Sequence, residues 1–201
     1  MRNLWKYYFC SNDQISRPNI THSLINMDYE ISCKLDIYKI SYSVASYNEH
    51  VFKCDVSYDY NYFMNTKLCA LTVYDRDDTA ICDIKEKRKL LPYKKQYDII
   101  FRDGKKLRLQ FRLKKDTEVE SSDVPLFNHF KWRKHNSNYT LLVPHADGYT
   151  TAAECRYEHL DNIHLYIHDE YTGHSAQILS MLFVMITENL DKPNIMYNIG
   201  I

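Results

Sequence analysis

The segment His174-Ser-Ala-Gln-Ile-Leu-Ser-Met-Leu-Phe-Val-Met-Ile-Thr-Glu-Asn-Leu190 decides the fold that this sequence predicts. It is rich in Leu and Met, contains no Gly or Pro and ends before Asp191-Lys192-Pro193, so one helix is expected over about 174–190, with Thr172 or Ser175 as its N-cap. Apolar residues occupy positions 178, 179 and 181–186 and cover nearly every side of that helix. Because a helix that is apolar all round must be enclosed, and this one is shorter than the ~20 residues that cross a bilayer, we expect the rest of the chain to surround it without a transmembrane span.

The rest of the chain alternates apolar and polar residues with the period of a β-strand. Ile31, Cys33, Leu35 and Ile37 share one face, and after a change of phase that indicates a bulge or short turn the pattern resumes at Ile40. Further strands are predicted near 52–58, 68–74, 81–84, 97–101, 106–114, 130–132, 139–143, 150–157 and 163–168. Asp103-Gly104 separates two alternating runs, which is the strongest short-range signal of a hairpin.

These elements predict a mainly β protein, a closed antiparallel barrel of about 10–12 strands around the C-terminal helix. The length of 201 residues favours one domain over 1–201, with a core at about 27–192, an N-terminal extension or first strand at 1–26 and a tail at 193–201. Residues 10–26 and 117–128 are expected to form long loops.

Composition excludes several classes of function. With 4 glycines the chain has no dinucleotide-binding or phosphate-binding glycine loop, and no cofactor is expected. The N-terminus has no apolar run of signal-peptide length, and the 6 cysteines form no CxxC pair, so reduced, buried thiols and a cytoplasmic location are expected, with the inner membrane surface as a peripheral site.

The formal net charge of zero conceals an uneven distribution. Residues 85–115 carry 13 Lys+Arg against 3 Asp+Glu, whereas residues 1–84 carry 8 against 11 and residues 116–201 carry 5 against 12. Several like charges on one strand face repel one another unless something neutralises them. The candidate ligand-binding residues come from this basic block and are Lys85, Lys87, Arg88, Lys89, Lys106, Arg108, Arg112 and Lys114.

Two kinds of neutralising group are open at this stage. The acidic C-terminal third, with Glu154, Glu158, Asp161, Asp169 and Glu170, would pair with the basic block internally and leave a protein–protein interaction module. The phosphates of an anionic membrane lipid would instead make the block a ligand-binding face, at ~1 kcal/mol for each basic residue near the membrane. Nucleic acid is the less expected anion.

Catalytic and metal-binding patterns are weak. His164, His168 and His174 suggest a metal-dependent hydrolase as a second alternative, but on a strand the first two lie ~13 Å apart, which is too far to share one ion. The sequence Asp75-Arg76-Asp77-Asp78 lacks the glycine and final glutamate of a calcium loop and predicts a polar turn. A non-catalytic protein is expected.

Three stretches resemble the tubby C-terminal, LURP-one-related and phospholipid-scramblase group of β-barrels. They are Leu71–Asp75 with Ile81–Lys85, Tyr97–Phe101 with Asp103–Lys106, and Ser175–Leu190. The chain is most similar to the small bacterial members, over about residues 27–192, and lacks a scramblase-like Cys-rich or Pro-rich N-terminus. The resemblance implies a closed barrel around a hydrophobic helix and, as in some members, binding of phosphoinositides or other membrane anions. The function expected from the sequence is therefore a binding or scaffold module.

Overall fold

A computed structural model of the chain describes residues 27–35, 39–61, 66–87, 94–112, 116–159 and 161–190. Of residues 58–61, 66–68, 94, 112, 189 and 190 only the backbone is described. The strands are β1 Met27–Leu35, β2 Ile40–Ser46, β3 Glu49–Asn61, β4 Thr66–Asp75, β5 Ala80–Lys87, β6 Lys94–Phe101, β7 Lys106–Arg112, β8 Thr117–Ser122, β9 Lys131–His135, β10 Asn138–His145, β11 Gly148–His159 and β12 Asn162–Ile167. One helix, α1 Ser175–Leu190, follows a 3₁₀-helix at Asp169–His174, and a shorter one spans Pro125–Phe127.

The twelve strands form a closed antiparallel barrel. Each strand pairs with its neighbours in the sequence, and β1 pairs with β12 to close the ring, with Met27 opposite Ile167 and Ile31 opposite Ile163. Closure leaves no unpaired edge, so the backbone polar groups of the first and last strands are satisfied by each other. The predicted fold class is confirmed.

Helix α1 fills the centre of the barrel, as its all-round apolar sequence predicts. Its residues from Ile178 to Ile186 are buried, and Phe183 stacks on Tyr42 of β2 with ring centroids 5.2 Å apart. The inward-facing residue of each strand alternates with an exposed one, so the strands supply an apolar lining to the enclosed helix. The interior of the barrel is therefore occupied by the chain itself.

The polar side chains of the helix are matched by polar groups on the barrel wall. Ser175 Oγ accepts a hydrogen bond from Tyr29 at 2.8 Å, and Thr187 Oγ1 lies 3.1 Å from the Tyr42 hydroxyl. Ser180 Oγ lies 3.1 Å from the sulfur of Cys82 on β5. Because an unpaired polar group in such an interior costs free energy, these pairs favour one rotation and depth of the helix in the barrel.

Two tight turns form as their sequences predict. In the β6–β7 hairpin, Gly104 has φ +85°, a conformation that suits glycine, and its N–H bonds to the Phe101 carbonyl at 3.0 Å. In the β4–β5 turn, Asp75 Oδ1 accepts from the backbone N–H groups of Asp77 and Thr79, both at 2.9 Å. This carboxylate organises a turn, as expected from the polar sequence.

The expectation of a long loop at 117–128 is wrong. Residues Thr117–Ser122 form β8, in which Thr117 and Val119 are buried while Glu120 is exposed, and only 123–130 connects it to β9. The strand was missed because glutamate and serine dominate its outward positions. β1 ends at Leu35 and β2 begins at Ile40, so the predicted change of phase lies between two strands. β7 ends at Arg112, and the predicted strand end at 114 lies outside the described residues. The loop predicted at 10–26 also lies outside them.

No helix within the described ranges has both the length and the apolarity needed to cross a membrane.

Candidate functional site

The outer surface of β5, β6 and β7 carries the basic residues that the sequence singles out. Inward positions on these strands are buried, as with Ile84, Ile99 and Leu109, so the residues between them point outward. Lys85 and Lys87 on β5 and Lys106 on β7 are exposed, and Arg108 is half-buried. We call these four residues the basic face.

One carboxylate lies in the middle of the basic face. Asp98 on β6 is opposite Lys85 on one side and opposite Arg108 on the other in the strand register. Arg108 Nε donates to its Oδ1 at 2.7 Å, and Lys87 forms an ion pair with its Oδ2. Partial burial raises the pKa of Asp98, but the hydrogen bonds from Arg108 and then Lys87 outweigh burial and hold that pKa below its ordinary value. The carboxylate therefore neutralises one charge of the face and orients two side chains.

The other two cations of the basic face are not neutralised within the described part of the chain. The ammonium groups of Lys85 and Lys106 have no acidic partner there, and both side chains are exposed. Nearby cations are paired, since Arg102 bonds to Asp83 at 3.2 Å and Lys105 to Asp103 at 2.7 Å. The face thus keeps an excess of positive charge centred on Lys85 and Lys106.

The other four predicted ligand residues have no described side chains. Arg88, Lys89 and Lys114 lie outside the described residues, and Arg112 is described through its backbone, which pairs with Lys94 at the end of β7.

The acidic residues of one alternative, Glu154, Glu158, Asp161, Asp169 and Glu170, form no ion pair with the described residues of the basic block. Glu154 and Glu158 point outward from β11, and Asp161 precedes β12, whereas the basic face is centred on β6. In a ring of twelve strands β12 and β6 are six positions apart in either direction, so the two charged regions lie on opposite sides of the barrel. The carboxylates that pair with described residues of the block belong to other positions, which are Asp83, Asp98, Asp103 and Glu188.

A buried ion pair at the C-terminal end of α1 was not predicted from the sequence. The side chain of Glu188 is only 5% exposed, its Oε1 lies 2.8 Å from Lys95 Nζ, and it accepts a hydrogen bond from the Tyr97 hydroxyl. Burial, and then the Glu188 charge, raise the pKa of Tyr97. The pair ties the helix to β6 and withdraws Lys95 from any outward-facing ligand site. The signal was the charged residue in the last turn of a helix that carries no other charge.

The three histidines considered for a metal site have separate environments. His164 Nε2 lies 2.8 Å from Asn162 Oδ1, the His168 ring meets the edge of Tyr166, and the His174 ring meets the edge of Phe127. In the part of the chain that the structure describes, no group of three or more His, Cys, Asp or Glu side chains is arranged to hold a metal ion.

The described cysteines lie in or beside the barrel core. Burial raises the pKa of the Cys155 thiol to about 12, and burial, only partly offset by the hydrogen bond between Cys82 and Ser180, raises the pKa of the Cys82 thiol to about 11. Such thiols stay protonated at neutral pH, and the protonated form is a poor nucleophile and metal ligand. All five described cysteines are free thiols.

A shallow groove on the side opposite the basic face was also missed. It crosses the outer surface of β12, β1 and β2, encloses about 230 Å³ and is lined by polar residues that include Glu30, Asp161 and His164. The residues belong to strands far apart in the sequence, so no local pattern indicates it.

These features define a closed β-barrel with a filled interior, whose candidate binding sites lie on its outer surface. Comparison with protein-family models, with curated proteins and with solved structures found no match.

Proposed function

We propose that this protein is a non-catalytic binding module that holds anionic lipid headgroups on the basic face of β5–β7. The observation that carries the proposal is the pair of exposed lysines, Lys85 and Lys106, that have no acidic partner among the described residues while the cations around them are paired. Unpaired like charges on one surface are stabilised by an external anion.

The filled interior supports a surface ligand over an enclosed one. Helix α1 occupies the space in which a barrel of this size would hold a small molecule, and Phe183, Leu182 and Met181 there are fully buried. A headgroup bound on the outer surface requires no movement of the helix.

The close spacing of the four cations favours one anionic surface as the ligand. Residues on one face of neighbouring strands lie ~4.8 Å apart across the sheet and ~6.6 Å apart along each strand, so all four cations can contact the same anionic surface. The ion pairs with Asp98 restrict the side chains of Arg108 and Lys87, which lowers the side-chain entropy that binding would otherwise cost. The opposite side of the barrel, with Glu154, Glu158 and Asp161, is repelled by the same membrane.

The resemblance to the tubby-like group agrees with this proposal, since some members of that group bind membrane anions. Membership of that group, a cytoplasmic location and attachment to the inner membrane surface are part of the proposal.

Flotation with liposomes tests the proposal. Vesicles of phosphatidylcholine alone are compared with vesicles containing about one third phosphatidylserine, at salt concentrations of about 0.1 M and about 1 M, where the Debye length falls from ~10 Å to ~3 Å. We expect the protein to float with the anionic vesicles at low salt only. Equal binding to both vesicles, binding that resists salt, or absence of binding contradicts the proposal.

The variant Lys85→Glu/Lys106→Glu locates the site. At ~1 kcal/mol for each cation near the membrane, removing two should lower the partition coefficient at least ~25-fold, and the new negative charges add repulsion. The matched control Lys34→Glu/Arg156→Glu makes the same change of net charge with two exposed residues of β1 and β11, on the other side of the barrel. If the two double variants lose binding equally, the basic face is not the site.

A further inference from the structure

The groove over β12, β1 and β2 lies where small side chains meet on neighbouring strands. Ser32 of β1 is directly opposite Ser43 of β2, and Ala45 follows two positions along on the same face. Because outward side chains normally cover a sheet and these three are short, they leave a depression of about 230 Å³ on the outer surface. The longer side chains of Glu30 on β1 and His164 on β12 line the same depression, where β1 pairs with β12.

Two carboxylates line the groove beside hydroxyl, amide and imidazole groups. Glu30 and Asp161 line it, and neither carboxylate has an ion-pair partner among the described residues. More acidic residues border it on the outer surface, Asp28 on β1 and Glu158 on β11, with Lys34 and Arg156 as the opposing charges. The groove is therefore a site of negative potential with two carboxylates available to a ligand.

Two consecutive hydrogen bonds determine which ring nitrogen of His164 carries a hydrogen. Asn162 Nδ2 donates to Glu158 Oε2 at 2.8 Å, so the amide oxygen is the atom that faces His164 Nε2, also at 2.8 Å. An amide oxygen can only accept, and His164 Nε2 must therefore carry the hydrogen. In the neutral ring Nδ1 is then an acceptor.

We infer that this groove is a docking site for an arginine side chain in a basic segment of a partner protein. A guanidinium has five donors and no acceptor, which is complementary to the carboxylates of Glu30 and Asp161, and it pairs with carboxylates in a bidentate geometry. The volume is below the ~300–1,000 Å³ of pockets for drug-sized ligands and suits one long side chain. The acidic surface beyond the groove favours further basic residues of the same segment.

Docking in the groove is independent of lipid binding. The groove is centred on β1, five strands away from β6 in the ring, so neither ligand blocks the other, and a barrel held on a membrane by β5–β7 would turn the groove away from that membrane. That orientation rests on the proposed function. Binding of the basic segment does not depend on the proposed function, because it is measured in solution without a membrane.

The test is a fluorescence-polarisation titration with a labelled peptide that alternates alanine with three arginines. Matched peptides replace arginine with lysine or with citrulline, which keeps the shape of the side chain and removes its charge, and free arginine amide is used as a competitor. We expect saturable binding of the arginine peptide, several-fold weaker binding of the lysine peptide and none of the citrulline peptide. No binding of the arginine peptide, equal affinity for citrulline, or an equal or greater affinity for lysine overturns the inference, and free arginine amide binding as tightly as the peptide shows a small-molecule site instead.

Two variants assign the binding to the groove. Glu30→Gln/Asp161→Asn should weaken the arginine peptide about tenfold or more, because it removes both carboxylates while preserving shape. The control Glu170→Gln/Asp147→Asn removes the same charge from exposed positions outside the groove lining and should leave affinity within about twofold. Ser32→Lys keeps every carboxylate but fills the groove with a tethered cation, and it should also abolish binding. Equal effects of the groove and control variants, or undiminished binding by Ser32→Lys, overturn the assignment.

Discussion

The ion pair between Lys95 and Glu188 should dominate the stability of the end of the barrel where α1 terminates. The Glu188 side chain is 5% exposed and that of Lys95 is 37% exposed, with 2.8 Å between the charged atoms. Lys95→Met leaves a buried carboxylate with the Tyr97 hydroxyl as its remaining described partner. Loss of one partner from a fully buried pair costs ~3–5 kcal/mol, and because Lys95 is partly hydrated we expect ~2 kcal/mol.

The reverse substitution should cost less. Glu188→Gln still accepts the hydrogen bond from Tyr97, and Lys95 can turn towards water, so we expect a loss of ~1 kcal/mol. In Lys95→Met/Glu188→Gln no charge is left buried, and the double variant should be more stable than Lys95→Met alone. This requires a favourable coupling larger than the ~1 kcal/mol cost of Glu188→Gln, and we expect ~1.5 kcal/mol in the double-mutant cycle.

Equilibrium unfolding in urea measures these differences, and thermal unfolding checks them. For a chain of this size 1 kcal/mol moves Tm by ~2–4 °C, so Lys95→Met should lower Tm by ~4–8 °C. The control Lys85→Met removes an exposed lysine without an ion pair and should change stability by less than ~0.5 kcal/mol. If Lys95→Met is as stable as that control, or if the double variant loses the sum of the two single effects, the reasoning about the buried charge is refuted.

Three further changes test separate parts of the structure. Thr117→Val should raise the unfolding free energy by ~1 kcal/mol in urea, since the Thr117 hydroxyl is buried without a hydrogen-bond partner; a loss of stability would mean that it has one. Asp75→Ala should lower that free energy by ~1 kcal/mol, because two backbone N–H groups of the β4–β5 turn lose their acceptor; an unchanged midpoint would contradict this. The pKa of Asp98 is lower in the folded than in the unfolded chain, so its contribution is present above about pH 4 and is lost as the pH falls through the folded pKa. Asp98→Asn should therefore lose stability at pH 7 and flatten the decline below pH 4, and a parallel decline in the two proteins would exclude this contribution.

Much of the fold can be predicted from the sequence because the spacing of apolar residues indicates which side of each helix or strand is buried. The run from Ile178 to Ile186 leaves no polar face on a helix, which indicates burial on all sides. Apolar and polar residues alternate strictly over Lys106–Arg112, which indicates a strand with one buried face. Closure could be expected since an apolar helix needs enclosure. The strand at Thr117–Ser122 could not, because its outward glutamates and serines conceal the two buried positions.

The candidate sites are predicted less completely. The sequence names Lys85, Lys87, Lys106 and Arg108 among eight candidate residues of a basic block, and the structure places these four together on the outer surface of β5 and β7. It does not reveal that Asp98 neutralises part of that face, since the pairing depends on the register of β6 against both neighbours.

What the sequence determined by itself is local: the strands, the hairpin at Asp103-Gly104, the helix and its need for enclosure, and the concentration of positive charge in residues 85–115. What only the tertiary structure decided is which distant residues meet. The order of strands in the ring places Glu154, Glu158 and Asp161 across the barrel from the basic face, and closure of β1 on β12 creates the groove beside Glu30. The reason is that hydrophobic periodicity depends on neighbours along the chain, whereas electrostatic pairing depends on distances through space.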